Sequence, residues 1–256
     1  MTEAPQFKRI TMARTGGTAV VALASDKVNA LDPEVLRELG DVVGVCEEDP
    51  GIVALVVTGE GSIFSAGLNV TEVLAHDAAY TAGLLDTLHE TLVRIFSCPL
   101  PTVAAVNGPA IAGGCLLACA FDQRLIAEEA RMGVTELKVG VSFPTVAVEL
   151  LKHACGRRAE GLMFDARLLP AEEACRVGLA HRSVPRSELL EVAVSTAEQL
   201  ASLDPRAYAL AKASVRRDVL AAIEGEAGRL LDRQVREQWQ DDRTRANLEL
   251  LLKPKA

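Results

Sequence analysis

The stretch Thr102-Val103-Ala104-Ala105-Val106-Asn107-Gly108-Pro109-Ala110-Ile111-Ala112-Gly113-Gly114-Cys115-Leu116-Leu117 sets the fold class. Its first five residues are apolar or β-branched without a break, the pattern of a short strand buried on both faces. Asn107-Gly108-Pro109 ends that run, and Gly113-Gly114 marks a second turn. From Cys115 the pattern becomes helical, and Leu116 to Phe121 is too apolar for a surface helix. Gly113 therefore falls where a buried helix begins, with a free N–H at the positive end of the helix dipole.

Residues 52–58, Ile52-Val53-Ala54-Leu55-Val56-Val57-Thr58, repeat the theme and are followed by Gly59, Gly61 and Ser65-Ala66-Gly67-Leu68-Asn69. Strand, glycine turn and helix in alternation make the chain α/β. The two small-residue turns offer backbone N–H groups able to converge on one oxygen. A single carboxylate, Glu136, follows twenty residues after Leu116. One donor aimed at developing negative charge contributes about 10²–10³ in rate, and a nearby acid can move a proton. Taken alone, Gly113-Gly114 serves equally well as a tight strand-to-helix turn, and Glu136 is one of 35 Asp and Glu.

Working outward, residues 7–12 and 18–25 read as a hairpin around Thr15-Gly16-Gly17. Asp32 is an N-cap with Pro33 at the first helical position, opening a helix to about Cys46. A further helix is expected near 80–97, and the small, mixed residues 75–85 read as a loop. After Pro185 apolar residues recur at three and four, predicting helices over 187–200, 204–219, 221–238 and 241–252. Leu248, Leu250, Leu251 and Leu252 make the last of these apolar enough to need a covering surface, on this chain or another.

The 256 residues are long enough to bury a large core. With 49% hydrophobic and 24% charged residues the chain is globular rather than disordered. A net charge of −8 argues against a nucleic-acid partner. No run of 18 or more apolar residues predicts a membrane span. The start, Met1-Thr2-Glu3-Ala4-Pro5, has no basic and apolar signal region, and Lys253-Pro254-Lys255-Ala256 is not a peroxisomal address, so a cytoplasmic location is expected. Cys115 and Cys119 lie four apart with no neighbouring histidine, and the other four cysteines form no framework, so neither a metal site nor disulfides are expected. His76, His89, His153 and His181 are isolated and read as structural or surface residues.

Several segments together carry a family resemblance. Asp26-Lys27-Val28-Asn29-Ala30-Leu31, Phe64-Ser65-Ala66-Gly67-Leu68-Asn69, Val103 to Gly108, Ala112-Gly113-Gly114-Cys115, Asp122 to Ala127, Thr135-Glu136-Leu137-Lys138-Val139-Gly140 and Ala171 to Ala180 occur in the order and spacing of the crotonase (enoyl-CoA hydratase/isomerase) superfamily. The resemblance runs from about Phe7 to Lys253. It implies a superhelix of ββα units over residues 1–185 holding an acyl-CoA site, followed by a helical oligomerisation region over 186–256. The loop expected at 75–85 would then lie over the acyl pocket or be a simple connection. The resemblance further implies an acyl-CoA thioester as substrate, no cofactor beyond the coenzyme A the substrate carries, and a homotrimer or homohexamer.

Leu116 narrows the activity. Enoyl-CoA hydratases resemble this segment but carry a glutamate there, paired with a second at the position of Glu136. Water addition divides its proton transfers between two carboxylates, and leucine can take no part. The single glutamate with Ala112-Gly113-Gly114-Cys115-Leu116 resembles the Δ3,Δ2-enoyl-CoA isomerases of fatty acid metabolism more closely. Val141-Ser142-Phe143-Pro144 also lacks the Pro-Gly-x-Gly-Gly turn typical of hydratases. The resemblance implies Glu136 as proton shuttle and the N–H groups of Leu68 and Gly113 as oxyanion donors. It places coenzyme A and substrate against Val28, Ser65, Ala66, Gly67, Leu68, Asn69, Gly113 and Thr135, with Lys27 or Lys253 as a phosphate partner. Many relatives carry a lysine two residues past the Asn69 position, where this chain has Thr71. Another crotonase activity, hydration included, and non-catalytic acyl-CoA binding remain the alternatives.

Overall fold

The structure, a computed structural model, describes residues 7–253. β1 (Ile10–Thr15) and β2 (Thr18–Leu23) form the expected antiparallel hairpin, turned at Gly16 with φ 57°. α1 (Pro33–Glu48) begins where its cap dictates: the Asp32 carboxylate accepts from the N–H groups of Glu34 and Val35, both at 2.9 Å. β3 (Ala54–Gly59) precedes α2 (Val70–Ala75) and α3 (Ala78–Ser97). β4 (Thr102–Val106) and β5 (Ala110–Ile111) lead into α4 (Gly113–Cys119). β6 (Gln123–Ala127) and β7 (Arg131–Gly133) lead to a 3₁₀ turn, Glu136–Val139, and then α5 (Thr145–Cys155). The chain continues through α6 (Arg158–Asp165), β8 (Leu169–Pro170), α7 (Ala171–Val177) and β9 (Arg182–Val184). It closes with α8 (Leu189–Ala201), α9 (Pro205–Glu224), α10 (Glu226–Trp239) and α11 (Asp242–Leu252).

Six strands make the main sheet in the order β1-β2-β3-β4-β6-β9, and every pair after the first is parallel. Val56 pairs with Val20 on one side and Val103 on the other, and all five residues of β4 are buried, as continuous apolar runs require. A smaller sheet, β5-β7-β8, lies beside it, and an isolated bridge from Ser65 to Ala110 extends that sheet by one step. Successive units therefore repeat one plan. A strand of the main sheet is followed by a short strand or bridge in the smaller sheet, then by a helix or turn.

Within residues 75–85, expected to be a loop, only His76 and Asp77 lie outside helix: α2 ends at Ala75 and α3 begins at Ala78. Asp77 caps α3 by accepting from the Tyr80 N–H at 3.0 Å, and Leu84, Leu85 and Leu88 turn a continuous stripe inward. Ala78 and Ala79 favour the helix more than their small size suggests. α8 packs on β3 and β4, so the helical region after residue 185 begins as a layer of the core. α9 is tied down by charge. Asp122, just before β6, accepts from the Thr102 N–H at 2.9 Å, the Tyr208 hydroxyl at 2.8 Å and Lys212 Nζ at 2.8 Å, with Arg216 at 2.6 Å. Removing one partner from so buried a set leaves uncompensated charge, at a cost of about 3–5 kcal/mol.

Candidate active site

Three pieces of the site come from the same place in three successive units, just beyond the strand or bridge of the smaller sheet. Leu68 follows the bridge at Ser65, Gly113 follows β5, and Glu136 follows β7. The ladder aligns them: the Ile111 N–H donates to the Ser65 carbonyl at 2.9 Å, and the Ala112 N–H to the Gly133 carbonyl at 2.9 Å. Chain ends of parallel strands are where α/β folds open a binding crevice. Here they open onto a cavity of about 320 Å³.

The two turns interlock through glycine. A Cβ on Gly67, whose φ is +91°, would lie 2.9 Å from the Ile111 carbonyl oxygen and 3.0 Å from the Gly113 nitrogen. A Cβ on Gly114 would lie 2.4 Å from the Ser65 carbonyl oxygen. Only hydrogen fits at these positions. Ala112, between them, holds φ 51° and ψ −121°, a conformation that costs a residue with a side chain about 1–3 kcal/mol. It turns the chain into α4 so that the Gly113 N–H has no helical partner. Neither the Leu68 N–H nor the Gly113 N–H donates to an acceptor among the described residues, and both residues line the cavity.

A second chain of bonds fixes the Leu68 strand. Asn29, buried at φ 50°, donates through Nδ2 to the carbonyls of Glu60 at 3.0 Å and Ile63 at 2.8 Å. The Ser65 hydroxyl donates to the Asn29 carbonyl at 2.7 Å and accepts from the Gly67 N–H at 3.2 Å. The Leu31 N–H donates to the Gly67 carbonyl at 2.8 Å, and the Asn69 N–H to the Leu31 carbonyl at 2.9 Å. These bonds leave the Leu68 N–H facing the other way.

Glu136 opens the 3₁₀ turn and is 9% exposed. Its Oε2 is buried without a hydrogen-bond partner among the described residues. Burial pushes its carboxyl up to about 7, opposed in part by the backbone N–H groups of Glu136 itself and Thr135. It is the one acid among the described residues lining the cavity, and Leu116 lines the same cavity. The turn is gripped from the C-terminal helices. Gln238 accepts from the Ser142 N–H at 2.9 Å and donates to the Gly140 carbonyl at 3.0 Å, while the Val141 N–H donates to the Glu136 carbonyl at 3.1 Å. Two unpaired donors and one raised carboxyl in an apolar cavity can hold a developing oxyanion and move a proton beside it.

A family profile described as enoyl-CoA hydratase/isomerase matches residues 13–248. The chain belongs to the enoyl-CoA hydratase/isomerase family. A putative enoyl-CoA hydratase of Thermus thermophilus is 38% identical over 218 residues, covering 82% of this chain and 83% of that relative. The human mitochondrial enoyl-CoA delta isomerase 1 is 32% identical over 205 residues, covering 78% of this chain and 68% of that relative. Among solved structures, human mitochondrial delta3-delta2-enoyl-CoA isomerase superposes with a TM-score of 0.91 at 27% identity, covering 96% of this chain and 97% of that one. The architecture of two sheets and their helices is the crotonase fold, as the sequence resemblance implied.

Within this family member, Ala66, Leu68, Gly113, Thr135 and Glu136 come together around the cavity. Other residues expected there are placed differently. Ser65 is buried in the strand-fixing bonds above, and Gly67 supplies close packing rather than cavity wall. The Asn69 side chain caps α2 by accepting from the Glu72 N–H at 3.2 Å. Lys27 and Val28 lie exposed beside the turn, where the Val28 carbonyl accepts from the Ala66 N–H at 2.9 Å. Lys253 is exposed just past α11 and does not line the cavity. No group of three His, Cys, Asp or Glu residues able to hold a metal occurs among the described residues, and no described helix is long and apolar enough to cross a membrane. Reading the sequence missed Trp239, Leu248 and Leu251, which close the cavity from α10 and α11. The signal available was the single tryptophan of the chain, set in a strongly charged helix.

Proposed function

We propose that the chain is a Δ3,Δ2-enoyl-CoA isomerase of fatty acid metabolism. The thioester oxygen of a 3-enoyl-CoA accepts from the N–H groups of Leu68 and Gly113. The ionised Glu136 carboxylate takes a proton from C2, and the C–H electron pair moves into a dienolate whose charge rests on that oxygen. Glu136 then returns the proton to C4, the double bond forms between C2 and C3, and the carboxylate is regenerated. A carboxyl poised near 7 suits a group that must accept and release a proton in one turnover. No cofactor enters the cycle beyond the coenzyme A of the substrate. Its phosphates would meet Lys27, or Lys253 of a neighbouring copy, and its pantetheine would run along residues 65–69.

The observation that carries this reading is that one carboxylate, Glu136, lines the cavity together with Leu116. Hydration remains the second reading, because the Thermus relative is named a putative hydratase. Incubating purified protein with 3-enoyl-CoA and with 2-enoyl-CoA, and following the conjugated thioester absorbance, separates them. Isomerisation with slow hydration is expected. Robust hydration without isomerisation would overturn the proposal, and binding without turnover of either would leave an acyl-CoA-binding protein. We also propose a homotrimer or a homohexamer made of two trimers. In its support, Leu210 and Val215 of α9 are 68% and 69% exposed in the single chain. Sedimentation equilibrium tests it, and a monomer would refute it.

A further inference from the structure

The walls of the cavity differ in exposure. Leu251 is 55% exposed, Lys138 is exposed, and Ala66, Leu68 and Ala112 are half-buried, which puts these residues at the mouth. Leu85, Leu88, Leu116, Val141, Trp239 and Leu248 line the same cavity at between 1% and 6% exposure. They come from α3, α4, the segment after the 3₁₀ turn, α10 and α11, so five parts of the chain converge on the inner end. Five of the six are leucine or valine, and the sixth is the chain's one tryptophan. With Leu68 at the mouth, a thioester oxygen held by its N–H leaves the inner end to the acyl tail. An end of this composition favours hydrocarbon, since each methylene that leaves water for it strengthens binding about four-fold.

Resting on the acyl-CoA reading above, we propose that the inner end is blind and fits a plain tail of medium length, with octanoyl and decanoyl thioesters the best-fitting class and Trp239 and Leu248 setting the limit. The cavity volume of about 320 Å³ supplies the length. At roughly 30 Å³ for a water-sized group, that space holds about ten non-hydrogen atoms. The thioester carbonyl takes two of them, which leaves room for an acyl chain of about eight to ten carbons in all. Trp239 is the bulkiest of the six inner side chains, and Leu248, at 1% exposure, is among the least accessible. A longer tail must push one of them aside or leave its extra carbons outside the mouth. Close-packed interiors resist the first, and the second buries nothing more.

The test needs no turnover. Saturated, unbranched acyl-CoAs, lengthened two carbons at a time from butanoyl to hexadecanoyl, are titrated calorimetrically into the full-length protein. Affinity should climb about four-fold per carbon as far as octanoyl or decanoyl, and gain nothing further from dodecanoyl onward. Trp239→Leu and Leu248→Ala open the inner end from different helices. In each, the ratio of dodecanoyl to octanoyl affinity should rise from about one or less to about ten or more. The chain's one tryptophan also reports directly: octanoyl-CoA should change its emission, and coenzyme A alone should not. The wild-type series and the emission decide the matter even where a variant does not fold. A climb that continues to hexadecanoyl overturns the proposal, as does a plateau already reached at butanoyl. A ratio that stays near one in both variants, or an emission that octanoyl-CoA leaves unchanged, removes Trp239 and Leu248 as the limit. If the break in affinity appears but 3-enoyl-CoA is not isomerised, the proposed reaction fails and the length limit stands. If no thioester binds, both fall.

Discussion

A Cβ built on Gly113 would lie 3.4 Å from the Leu68 nitrogen, so the space over the two free N–H groups is bounded by a single missing methyl. That distance is ordinary van der Waals contact, and Gly113→Ala should fold. The methyl would nevertheless stand where an oxyanion must approach both donors. Turnover should fall by about 10²–10³, the effect of losing one well-aimed donor, with little change in melting temperature. Gly114→Ala is the contrast: its Cβ would meet the Ser65 carbonyl oxygen at 2.4 Å, so it should lose stability first. Thermal melts and turnover measured on both variants check the pair. Undiminished turnover in Gly113→Ala would remove this turn from the mechanism.

Glu136→Gln should lower kcat by about 10² or more while leaving the fold intact. It should also stabilise the protein in alkaline solution. The carboxyl sits at about 7 in the fold against 4.5 for the free group. An acid whose folded pKa is raised binds its proton more tightly when folded, so its ionisation works against folding. The penalty is absent below about pH 4.5, grows as pH rises to about 7, and is constant above, on the order of 3 kcal/mol. Glutamine carries no such penalty. Denaturant unfolding at pH 5 and pH 8 should show the variant gaining on the wild type only at the higher pH. Equal differences at both would mean that Glu136 is not buried as an isolated acid.

The same titration fixes the acidic limb of the rate profile. Proton abstraction needs the carboxylate, so kcat/KM should rise with pH and level off above about 7. A midpoint near 4.5 would place the working Glu136 in solvent.

Much of the fold, and the outline of the candidate site, is legible in the sequence. Asp32-Pro33 announces α1 because a cap and a pre-set φ act locally, and residues 102–106 read as a buried strand because nothing polar interrupts them. Gly113 was legible as a helix start, and Glu136 through the family pattern. The segment from Ala78 to Leu85 misleads because Gly83 and the small residues mask an Asp77 cap whose buried face begins at Thr81 and turns apolar only at Leu84. The contributions of Trp239, Leu248 and Leu251 were illegible for another reason. Periodicity says which face of a helix is apolar, not which surface a hundred residues away will meet it.

That long-range closure yields the last prediction. Gln238 holds the segment after Glu136 by both ends of its amide, at Ser142 and Gly140, and Gly140 also accepts from the Thr244 hydroxyl at 3.4 Å. It is a positioning residue, since it acts on the 3₁₀ turn rather than on substrate. Gln238→Ala should free the turn, let water reach Glu136 and relieve the burial that holds its carboxyl high. Three consequences separate this from plain destabilisation. The midpoint of the kcat/KM profile should drop below about 7 toward the free carboxyl value. The loss should appear in kcat, by about ten-fold, more than in KM. Gln238→Glu, which can still accept from the Ser142 N–H but cannot donate to Gly140, should fall between wild type and alanine. If alanine lowers stability yet leaves the pH midpoint in place, the clamp is structural only and Glu136 is held by its own turn.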